Sequence, residues 1–361
     1  MTKNQQIERM LKKPSQWVDA NGPYAEIVFS SRVRLARNLR NHRFTISATD
    51  DEKEQILKEL KDGFAEIDFF NNGYVFDMKD LSALEKEFLA ERHLISYDLR
   101  FENRPAGVII DKDEKVSVML NEEDHLRIQG FAGGLQLFEI YDHINLLDDD
   151  LGLRLEYAFD NEFGYLTSCP TNMGTGLRAS ALVHLPALVL TREIDKIIKK
   201  LHKTKILVRG LFGEGSQVKG NFFQLSSSSS LGRKEENIIS LVTEILKEMV
   251  EKERSVREVL MKNAKSQVED KIWRAYGVLK YAHLLSSDEV INLSSAIRLG
   301  VGLGIIRDIT LKQINKLLMY LQPAHLKLLY NREMNDYERD TRRSLLVKEI
   351  LNFDKKGQNN G

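Results

Sequence analysis

The chain has 361 residues, of which 42% are hydrophobic and 29% are charged, as is typical of a soluble globular protein. There are 53 basic residues (lysine and arginine) and 53 acidic residues (aspartate and glutamate). This balance argues against a global attraction to nucleic acid or to an anionic membrane. A single cysteine excludes an internal disulfide, and the N-terminus lacks the apolar stretch of a signal peptide. No apolar run approaches the roughly 18 residues of a membrane span. We therefore expect a cytoplasmic protein.

The first part of the chain predicts a mixture of helices and strands. Residues 1–22 favour a short helix followed by a loop, and EIVFSSRVRLAR, from residue 26, begins with the alternation of a strand. DDEKEQILKELKDGFAEI, from residue 50, has helical spacing, and GYVFDMKDLSALEKEFLAERHLIS, from residue 73, predicts a strand and then a helix. PAGVIIDKDEKVSVML, from residue 105, predicts two strands joined by a charged turn.

The next part continues the mixture. LQLFEIYDHINLLDDDL, from residue 135, predicts a helix, and YAFDNEFGYLTSCP, from residue 157, predicts a strand or hairpin. For SALVHLPALVLTREIDKIIKKLHK, from residue 180, we predict a helix interrupted at Pro186. KILVRGLFGEGS and GNFFQLSSSSS, from residues 205 and 220, predict a last pair of strands.

After Gly232 the sequence predicts helix after helix. We therefore expect an α/β (α+β) protein with a mostly antiparallel sheet flanked by helices, followed by an all-helical domain. The expected divisions are an N-terminal segment 1–22, a mixed domain 23–250, a helical domain 251–352 and a disordered tail 353–361.

The stretch SSRVRLARNLR, residues 30–40, places four arginines within nine residues. On a strand, Arg32 and Arg34 point to the same face, because successive side chains alternate. Two neighbouring guanidinium groups can bind a polyphosphate through paired hydrogen bonds. The alternative is a solvated basic edge of the sheet.

Two further stretches combine charge with a strand end. NEEDHLRIQ, residues 121–129, places Glu122, Glu123 and Asp124 directly after a strand; three such acids suit a solvated turn, a metal or a cationic substrate. RGLFGEGS, residues 209–216, follows an apolar strand with Arg209 and then a glutamate between glycines, which allow the backbone to approach a ligand closely. On its own it is equally compatible with an ordinary loop.

SCPTNMGTGLRAS, residues 168–180, contains the only cysteine. It lacks the lysine signature of a Walker A loop, and it has no GxGxxG pattern. As a nucleophile, Cys169 would need a histidine base; His125 and His184 are candidates, although neither stands in a motif with it. A redox sensor and an ordinary buried side chain are the other interpretations.

Taken in order, SSRVRLAR, NEEDHLRIQ, CPTNMGTGLRAS and RGLFGEGS resemble the catalytic domain of the phosphagen (guanidino) kinases over about residues 24–250. VSVMLNEEDHLRIQ, GYLTSCPTN, HLPALVLTR and the helical C-terminal part are most similar to the bacterial protein-arginine kinases of the McsB type. Only about 22 residues precede the arginine motif, too few for the N-terminal domain and lid of the classical enzymes. The resemblance thus implies ATP-dependent phosphorylation of arginine side chains in proteins.

The resemblance also implies roles for residues. Glu123 and Glu214 would clamp the guanidinium, with Glu123 as general base, while Glu122 would support the site or act through water on magnesium. Cys169 would orient the guanidinium as a third negative partner rather than attack. ATP and Mg²⁺ are the implied cofactors, and no residues are assigned to a resident metal site. The implied nucleotide cradle comprises Arg32, Arg34, His93, Arg127, Arg178 and Arg209, with the neighbouring Ser30, Ser31, Val33, Ala179, Ser180, Ala181, Leu182, Gly210, Leu211, Phe212, Gly213 and Glu214. For His93, an ordinary histidine at the end of a helix is the alternative.

RDTRRS, residues 339–344, resembles the RDxxRA pattern with which such kinases bind phosphoarginine. Arg339, Asp340 and Arg343 match it, and Ser344 replaces the usual alanine; the alternative is a solvated helix turn. The resemblance further implies a homodimer, a heat-shock repressor and a Clp chaperone-protease as partners, and a zinc-binding activator of the McsA type.

Three other functions compete with this prediction. A nucleic-acid binder would use the basic cluster 32–43, but the net charge of zero and the lack of interleaved aromatic residues disfavour it. A phosphoarginine-recognising adaptor would lack ATP turnover, and a free-arginine phosphagen kinase would need a lid. We expect neither a membrane partner nor direct contact with nucleic acid.

Overall fold

The computed structural model describes residues 1–65, 67–201, 203–210 and 219–353. Within these ranges the strands are β1 (Val28–Arg37), β2 (Tyr74–Asp77), β3 (Gly107–Ile110), β4 (Val116–Leu120), β5 (Leu126–Gly133), β6 (Phe159–Asp160), β7 (Gly164–Tyr165), β8 (Leu177–His184), β9 (Ile206–Arg209) and β10 (Phe222–Ser227). Eight of them form one sheet with the order β2-β3-β4-β5-β1-β8-β10-β9, in which every neighbouring pair is antiparallel. β6 and β7 form a separate two-stranded hairpin.

Helices cover the sheet and form the C-terminal part of the chain. In the same ranges they are α1 (Lys3–Lys12), α2 (Asp50–Phe64), α3 (Ala83–Glu91), α4 (Leu137–Gly152), α5 (Pro186–Leu190), α6 (Ile194–Leu201), α7 (Glu235–Asn263), α8 (Lys265–Tyr281), α9 (Ser287–Gly302), α10 (Leu311–Tyr320), α11 (Pro323–Leu329) and α12 (Asp336–Ile350). None of the helices described is long and apolar enough to cross a membrane. The predicted α/β class, with an antiparallel sheet and a helical C-terminal region, is confirmed.

One face of the sheet is apolar and packs on helices. Val33 and Leu35 of β1 are buried in a core shared with residues of α2, α4 and α7. Gly130 of β5 lets α4 come close, since an added Cβ would lie 2.6 Å from Ile140 Cγ2. Because side chains alternate along a strand, Arg32 and Arg34 project from the opposite face.

The helix predicted from residue 180 is wrong over its first part. Residues 177–184 form strand β8, which lies between β1 and β10. Ala179, Ala181 and Val183 of this strand are buried against the helices. Leu182, on the other face, is partly buried as well. The apolar residues of the strand therefore do not alternate clearly with polar ones. A strand buried in this way gives no period that separates it from a helix. The helix begins at Pro186, which occupies the first turn of α5.

The long helix α7 links the two parts of the chain. Its first half, including Ile239, Leu246 and Val250, belongs to the core beneath the sheet. The helices that follow enclose a second core, to which Ile272, Ile297 and other residues of α8–α12 contribute. The helix continues without interruption through residue 250.

A buried polar joint fastens α11 to the region of the sheet. Glu91, at the end of α3, accepts hydrogen bonds from the backbone N–H groups of Ala324 and His325 at 2.8 and 3.0 Å. The next residue, Arg92, forms an ion pair of 2.6 Å with Glu114 and lies 3.2 Å from His325 Nε2. Burial lowers the pKa of His325 well below its usual value, so the neutral ring accepts from Arg92 and donates to Glu91.

Candidate active site

Five arginine side chains share the open face of the sheet. Arg34 pairs with Arg178 across β1 and β8, and Ala36 pairs with Arg127 across β1 and β5. Arg209 pairs with Gln224, which pairs in turn with a residue of β8. Residues that face each other across antiparallel strands point to the same side. The alternation therefore gathers the arginines predicted from the sequence on one face: Arg32, Arg34, Arg127, Arg178 and Arg209.

The centre of this face is a concentration of buried positive charge. Burial lowers the pKa of Arg32 to about 10, with a further contribution from Arg178, and burial together with Arg32 lowers the pKa of Arg34. Within the described part of the chain neither residue forms an ion pair, and the Nε–H of Arg32 is buried without an acceptor. Because desolvated cations need a counter-charge, this face is suited to an anion with several oxygens.

Two carboxylates lie at the edge of the cluster, in the turn between β4 and β5. Arg127 binds Glu122 through Nη1 at 2.7 Å and Glu123 through Nη2 at 2.6 Å. Glu122 also accepts hydrogen bonds from Ser96 Oγ and from the N–H of Glu123, each at 2.7 Å. The Glu123 side chain is 39% exposed, against 6% for Glu122, so Glu123 is the one that a substrate can reach. Burial raises the pKa of Glu123, and Arg127 partly offsets this effect.

The loop that carries Cys169 stands beside these acids. Cys169 is partly exposed, and its Sγ lies 3.0 Å from Thr171 Oγ1. Farther along the loop, Asn172 Nδ2 lies 3.5 Å from Glu123 Oε2. The carbonyl oxygen of Cys169 accepts from Thr167 Oγ1 at 2.8 Å and from the N–H of Asn172 at 3.0 Å, so the loop is internally braced.

The two histidines considered as a base for Cys169 are engaged elsewhere. His125 accepts from the N–H of Leu39 through Nδ1 at 2.9 Å, which leaves Nε2 to donate to the carbonyl of Arg43 at 3.0 Å. His184 Nε2 lies 2.8 Å from Ser295 Oγ. Neither histidine forms a hydrogen bond with the thiol, and this geometry gives no support to a Cys–His nucleophile.

A buried pair that the sequence analysis did not single out joins the two loops. Asp124 Oδ1 accepts from the N–H of Ser168 at 2.6 Å and from Asn38 Nδ2 at 2.7 Å. Asn38 Oδ1 in turn accepts from the N–H of His125 at 2.9 Å. Both side chains are buried. The only signal in the sequence was that Asp124 directly follows Glu123, and three consecutive acids are also typical of a solvated turn.

His93 lies next to the arginines in a strained conformation. Its φ is +60°, in the left-handed region that few non-glycine residues adopt. Burial, with a smaller contribution from Arg32, lowers the pKa of His93 to about 4, so its ring is neutral at physiological pH. The ring centroid is 5.8 Å from that of Trp17.

The remaining residues predicted for the cradle divide between the two faces. Four of them lie on the apolar face, which packs on helices: Ser31, Val33, Ala179 and Ala181. Their side chains cannot reach a ligand on the other face, so they contribute to the site only by forming the strands that carry the arginines. Gly210 follows β9 and is buried. Leu211, Phe212, Gly213 and Glu214 lie outside the described residues. Three residues share the face with the arginines: Ser30, Ser180 and Leu182.

The RDTRRS stretch lies on α12, and its residues differ in exposure. Arg343 is buried and donates to the carbonyl oxygens of Leu321 at 3.0 Å and Leu285 at 2.7 Å, besides its ion pair with Asp340. Ser344 is also buried, and its hydroxyl donates to the carbonyl of Ala282 at 2.6 Å, a hydrogen bond that alanine could not make. The Arg339 side chain is partly exposed and pairs with Asp336.

Comparison with known proteins supplies the context for this geometry. Residues 55–256 match the family model described as "ATP:guanido phosphotransferase, C-terminal catalytic domain", and residues 265–361 match "Protein-arginine kinase McsB C-terminal domain". A protein-arginine kinase of Desulforamulus reducens is 44% identical over 341 residues, covering 94% of this chain and 96% of the relative. The protein-arginine kinase of Bacillus subtilis is 41% identical over 346 residues, covering 95% of each.

Solved structures share the fold at lower sequence identity. Lombricine kinase superposes with a TM-score of 0.58 at 21% identity, over 68% of this chain and 72% of that one. The substrate-free duplicated taurocyamine kinase of Schistosoma mansoni has a TM-score of 0.58 at 22% identity, over 81% of this chain and 48% of its own. At this identity the likeness concerns the fold.

Proposed function

The chain belongs to the protein-arginine kinases, as the sequence motifs predicted, and from this premise we propose how its residues transfer the γ-phosphoryl group of ATP to an arginine side chain. The observation that carries the proposal is that Arg127 binds both Glu122 and Glu123 while standing in the row of five arginines. This contact brings a row of cationic side chains and two carboxylates together, and it supports a triphosphate site directly beside a guanidinium site.

The arginine row would bind and neutralise the triphosphate. Phosphoryl transfer depends mainly on positioning and on stabilising charge at the phosphoryl oxygens, and both are tasks for fixed guanidinium groups. The buried Arg32 Nε–H, which lacks an acceptor in the described ranges, supports this assignment. The neutral ring of His93 beside Arg32 would lie near the nucleotide.

Glu123 would act on the acceptor guanidinium. In the proposed step, a guanidino nitrogen forms a bond to the γ-phosphorus, the bond from that phosphorus to the bridging oxygen of ADP breaks, and a proton passes from the nitrogen to Glu123. A protonated guanidinium is a poor nucleophile because its lone pairs are delocalised, so the base and the in-line orientation matter together. Glu214 would be the second clamp and Cys169 the third negative group.

Mg²⁺ would accompany the nucleotide and screen the charge of its phosphate oxygens. Magnesium is usually held by one or two carboxylates together with substrate phosphates, and Glu122 and Glu123 supply such oxygens. Both oxygens of Glu122 already accept hydrogen bonds, from Ser96, Arg127 and the N–H of Glu123. Contact through a water is therefore the arrangement that leaves the Arg127 bridge intact. The part of the chain described contains no separate cluster of metal-binding side chains.

We further propose the biological setting implied by the family. The enzyme would mark arginines for regulation or for Clp-type degradation in the stress response, with a heat-shock repressor among its substrates and a zinc-binding activator of the McsA type. It would act in the cytoplasm as a homodimer joined through the helical domain. The four residues of the RDTRRS stretch would sense phosphoarginine: Arg339, Asp340, Arg343 and Ser344.

The domain division also stays a proposal. The match to the catalytic-domain model ends at residue 256, within α7. The match to the C-terminal-domain model begins at residue 265, just beyond α7. We place the functional boundary near residue 250, with α7 serving both parts as a shared element. The tail beyond residue 353 lies outside the structure described.

One competition experiment tests the function. The protein is incubated with Mg-ATP and a loosely folded protein, with and without millimolar free L-arginine, and both products are analysed for phosphoryl groups that are acid-labile and base-stable. We expect label on arginine residues of the protein and negligible label on the free amino acid. Efficient labelling of free arginine would indicate a phosphagen kinase, and absence of any ATP turnover would indicate an adaptor.

A further inference from the structure

A groove lined by both apolar and charged side chains lies beside the loop that carries Cys169. Its volume is about 370 Å³, and it runs between the β6–β7 hairpin and the segment 231–235 that leads into α7. Phe159 and Phe163 of the hairpin are 46% and 43% exposed, and Leu231 on the other side is 45% exposed. Large apolar side chains that remain in water around one concave surface are typical of a binding site.

The groove shares one loop with the proposed guanidinium site at Glu123 and Cys169, which we call the cleft. The backbone of Gly174 exchanges hydrogen bonds with Tyr165 of the hairpin at 2.7 and 3.3 Å, so this end of the loop forms a wall of the groove. Asn172, two residues earlier, faces Glu123 in the cleft. Cys169 and Gly174 are five positions apart, and such a segment cannot span more than about 18 Å.

The walls of the groove are held in place. Arg37 lies over the ring of Tyr165 at 3.5 Å and forms a buried ion pair of 2.6 Å with Asp148 of α4. Opposite the hairpin, Ser230 Oγ lies 2.9 Å from the carbonyl oxygen of Asn172 and 2.8 Å from that of Met173. A surface that is already ordered requires little loss of entropy when a ligand binds.

We propose that this groove binds an apolar side chain of the protein substrate, located within about five residues of the arginine that is phosphorylated. The inference rests on the proposed assignment of the cleft to the guanidinium. A polypeptide whose arginine reaches Glu123 would pass the loop that also forms a wall of the groove. The charged residues around the groove are of both signs, Glu162 and Glu235 against Arg233 and Lys234, so the apolar contact is what would select the segment.

The position of the groove also explains why a flexible segment would be the preferred substrate. An arginine side chain in the cleft and an apolar side chain in the groove must be presented on the same side of a short stretch of chain. In folded proteins large apolar side chains are mostly buried, whereas an unfolded segment exposes them beside its arginines. The groove would therefore recognise polypeptides that have lost their tertiary structure.

The test uses the full chain and two sets of peptides, each with one arginine in a glycine-serine background. One set carries a phenylalanine at two to five positions on either side of the arginine, and the other carries serine there. Phe163→Ser and Phe159→Ser are compared with Leu146→Ser, which removes an apolar side chain that is 70% exposed on α4 and does not line the groove.

For the wild type we expect at least one phenylalanine peptide to have a KM about tenfold lower than its serine counterpart, with similar kcat. The hairpin variants should lose this difference while phosphorylating the serine peptides as the wild type does, and Leu146→Ser should retain it. Two outcomes would overturn the docking proposal alone. One is that a wild type that phosphorylates protein arginines has equal KM values for the phenylalanine and serine peptides. The other is that the hairpin variants keep the wild-type preference for phenylalanine peptides. Failure of the wild type to label arginine in any protein or peptide would instead overturn the proposed function.

Discussion

Asp124 and Ser168, 44 positions apart in the sequence, are joined by a hydrogen bond of 2.6 Å from the N–H of Ser168 to Asp124 Oδ1. Asp124 directly follows Glu123, and Ser168 directly precedes Cys169. The bond therefore fixes the turn that carries Glu123 relative to the loop that carries Cys169. It does so one residue away from each of these two proposed catalytic groups. Its location within a buried network with Asn38 protects it from competition with water.

Replacing Asp124 by alanine removes the acceptor of the Ser168 N–H and should reduce kcat by about 100-fold, because a small displacement of the two loops misaligns the guanidinium. The KM for ATP should change little, since the arginine row lies on the strands. Alkylation of Cys169 by iodoacetamide should become faster as its loop loosens. Asp142→Ala, at an exposed position of α4, is the control. Wild-type kcat in Asp124→Ala with an unchanged melting temperature would remove Asp124 from the positioning role.

Glu123→Gln should retain ATP binding and reduce phosphoryl transfer by about 10²- to 10⁴-fold, the range for loss of a general base. ATP binding is measured by calorimetry and transfer by phosphoarginine formation. Glu156→Gln, an exposed glutamate paired with Arg40, is the matched control. Near-normal turnover in Glu123→Gln would show that another group accepts the proton.

The pH dependence of the wild type gives a second test of Glu123. The base acts in its ionised form, so kcat/KM, which reports the groups of the free enzyme, should fall as the pH drops through the pKa of Glu123. Burial raises the pKa of Glu123, and the acid limb should therefore lie above the value of about 4.3 for an ordinary glutamate. Circular dichroism over the same range separates this limb from unfolding. A limb at or below pH 4 would contradict the assignment.

Arg178→Ala should weaken nucleotide binding and slow transfer together, each by about tenfold or more, because the side chain would touch phosphate both before and during the reaction. Arg40→Ala provides the comparison. It lies in the same basic stretch of sequence as Arg34, yet its side chain is 55% exposed and paired with Glu156. If both parameters of Arg178→Ala matched those of Arg40→Ala, Arg178 would not belong to the cradle.

Cys169→Ala and Cys169→Ser should both lower kcat strongly while the melting temperature stays close to that of the wild type. The serine variant preserves the contact with Thr171 but cannot become a thiolate, so the pair separates charge from packing. Since the chain has one cysteine, alkylation by iodoacetamide is read as one label per chain, and nucleotide plus peptide should protect it. A fully active alanine variant would make Cys169 an ordinary loop residue.

The two arginines of α12 should respond differently to substitution. Arg343→Ala leaves the carbonyls of Leu285 and Leu321 and the carboxylate of Asp340 without their partner, so it should lower the free energy of unfolding by about 3 kcal/mol. Arg339→Ala should cost about 1 kcal/mol or less, because its partner Asp336 is exposed.

This difference determines how phosphoarginine sensing should be tested. Denaturant unfolding measures the two stabilities, and calorimetry with phosphoarginine measures binding to the folded protein. Loss of binding in a folded Arg339→Ala would support the proposed sensor, while unchanged binding would argue against it. An Arg343→Ala as stable as the wild type would contradict the structural role of Arg343.

The sequence predicted those parts of the site that depend on strand alternation. Arg32 and Arg34 share a face because they are two residues apart on one strand, and this holds whatever the neighbouring strands are. The prediction failed for β8, where the partly buried Leu182 lies on the face of the arginines and interrupts the alternation that would have marked a strand. Arg178 was therefore placed in the cradle by resemblance to a family rather than by any local pattern.

Other contacts were beyond local patterns altogether. The bond between Asp124 and Ser168 and the stacking of Arg37 on Tyr165 each depend on how distant segments meet in three dimensions. Arg37 belongs to the same basic cluster as Arg34, but it points to the opposite face and pairs with Asp148. The spacing of three residues between Arg34 and Arg37 on one strand predicts opposite faces, but the partner of Arg37 on α4 could not be predicted from this stretch alone.

The joint formed by Glu91 and Arg92 has a consequence for how this enzyme can evolve. Glu91 holds the start of α11, and Arg92 is shared by Glu114 and His325. The donors on α11 are two backbone N–H groups and the ring of His325, so a chimera that did not bring the start of α11 to the same position would leave the Glu91 carboxyl buried without donors. The constraint falls on the position of the helix start rather than on the side chain at residue 324, and recombination between the two halves should depend on preserving that position.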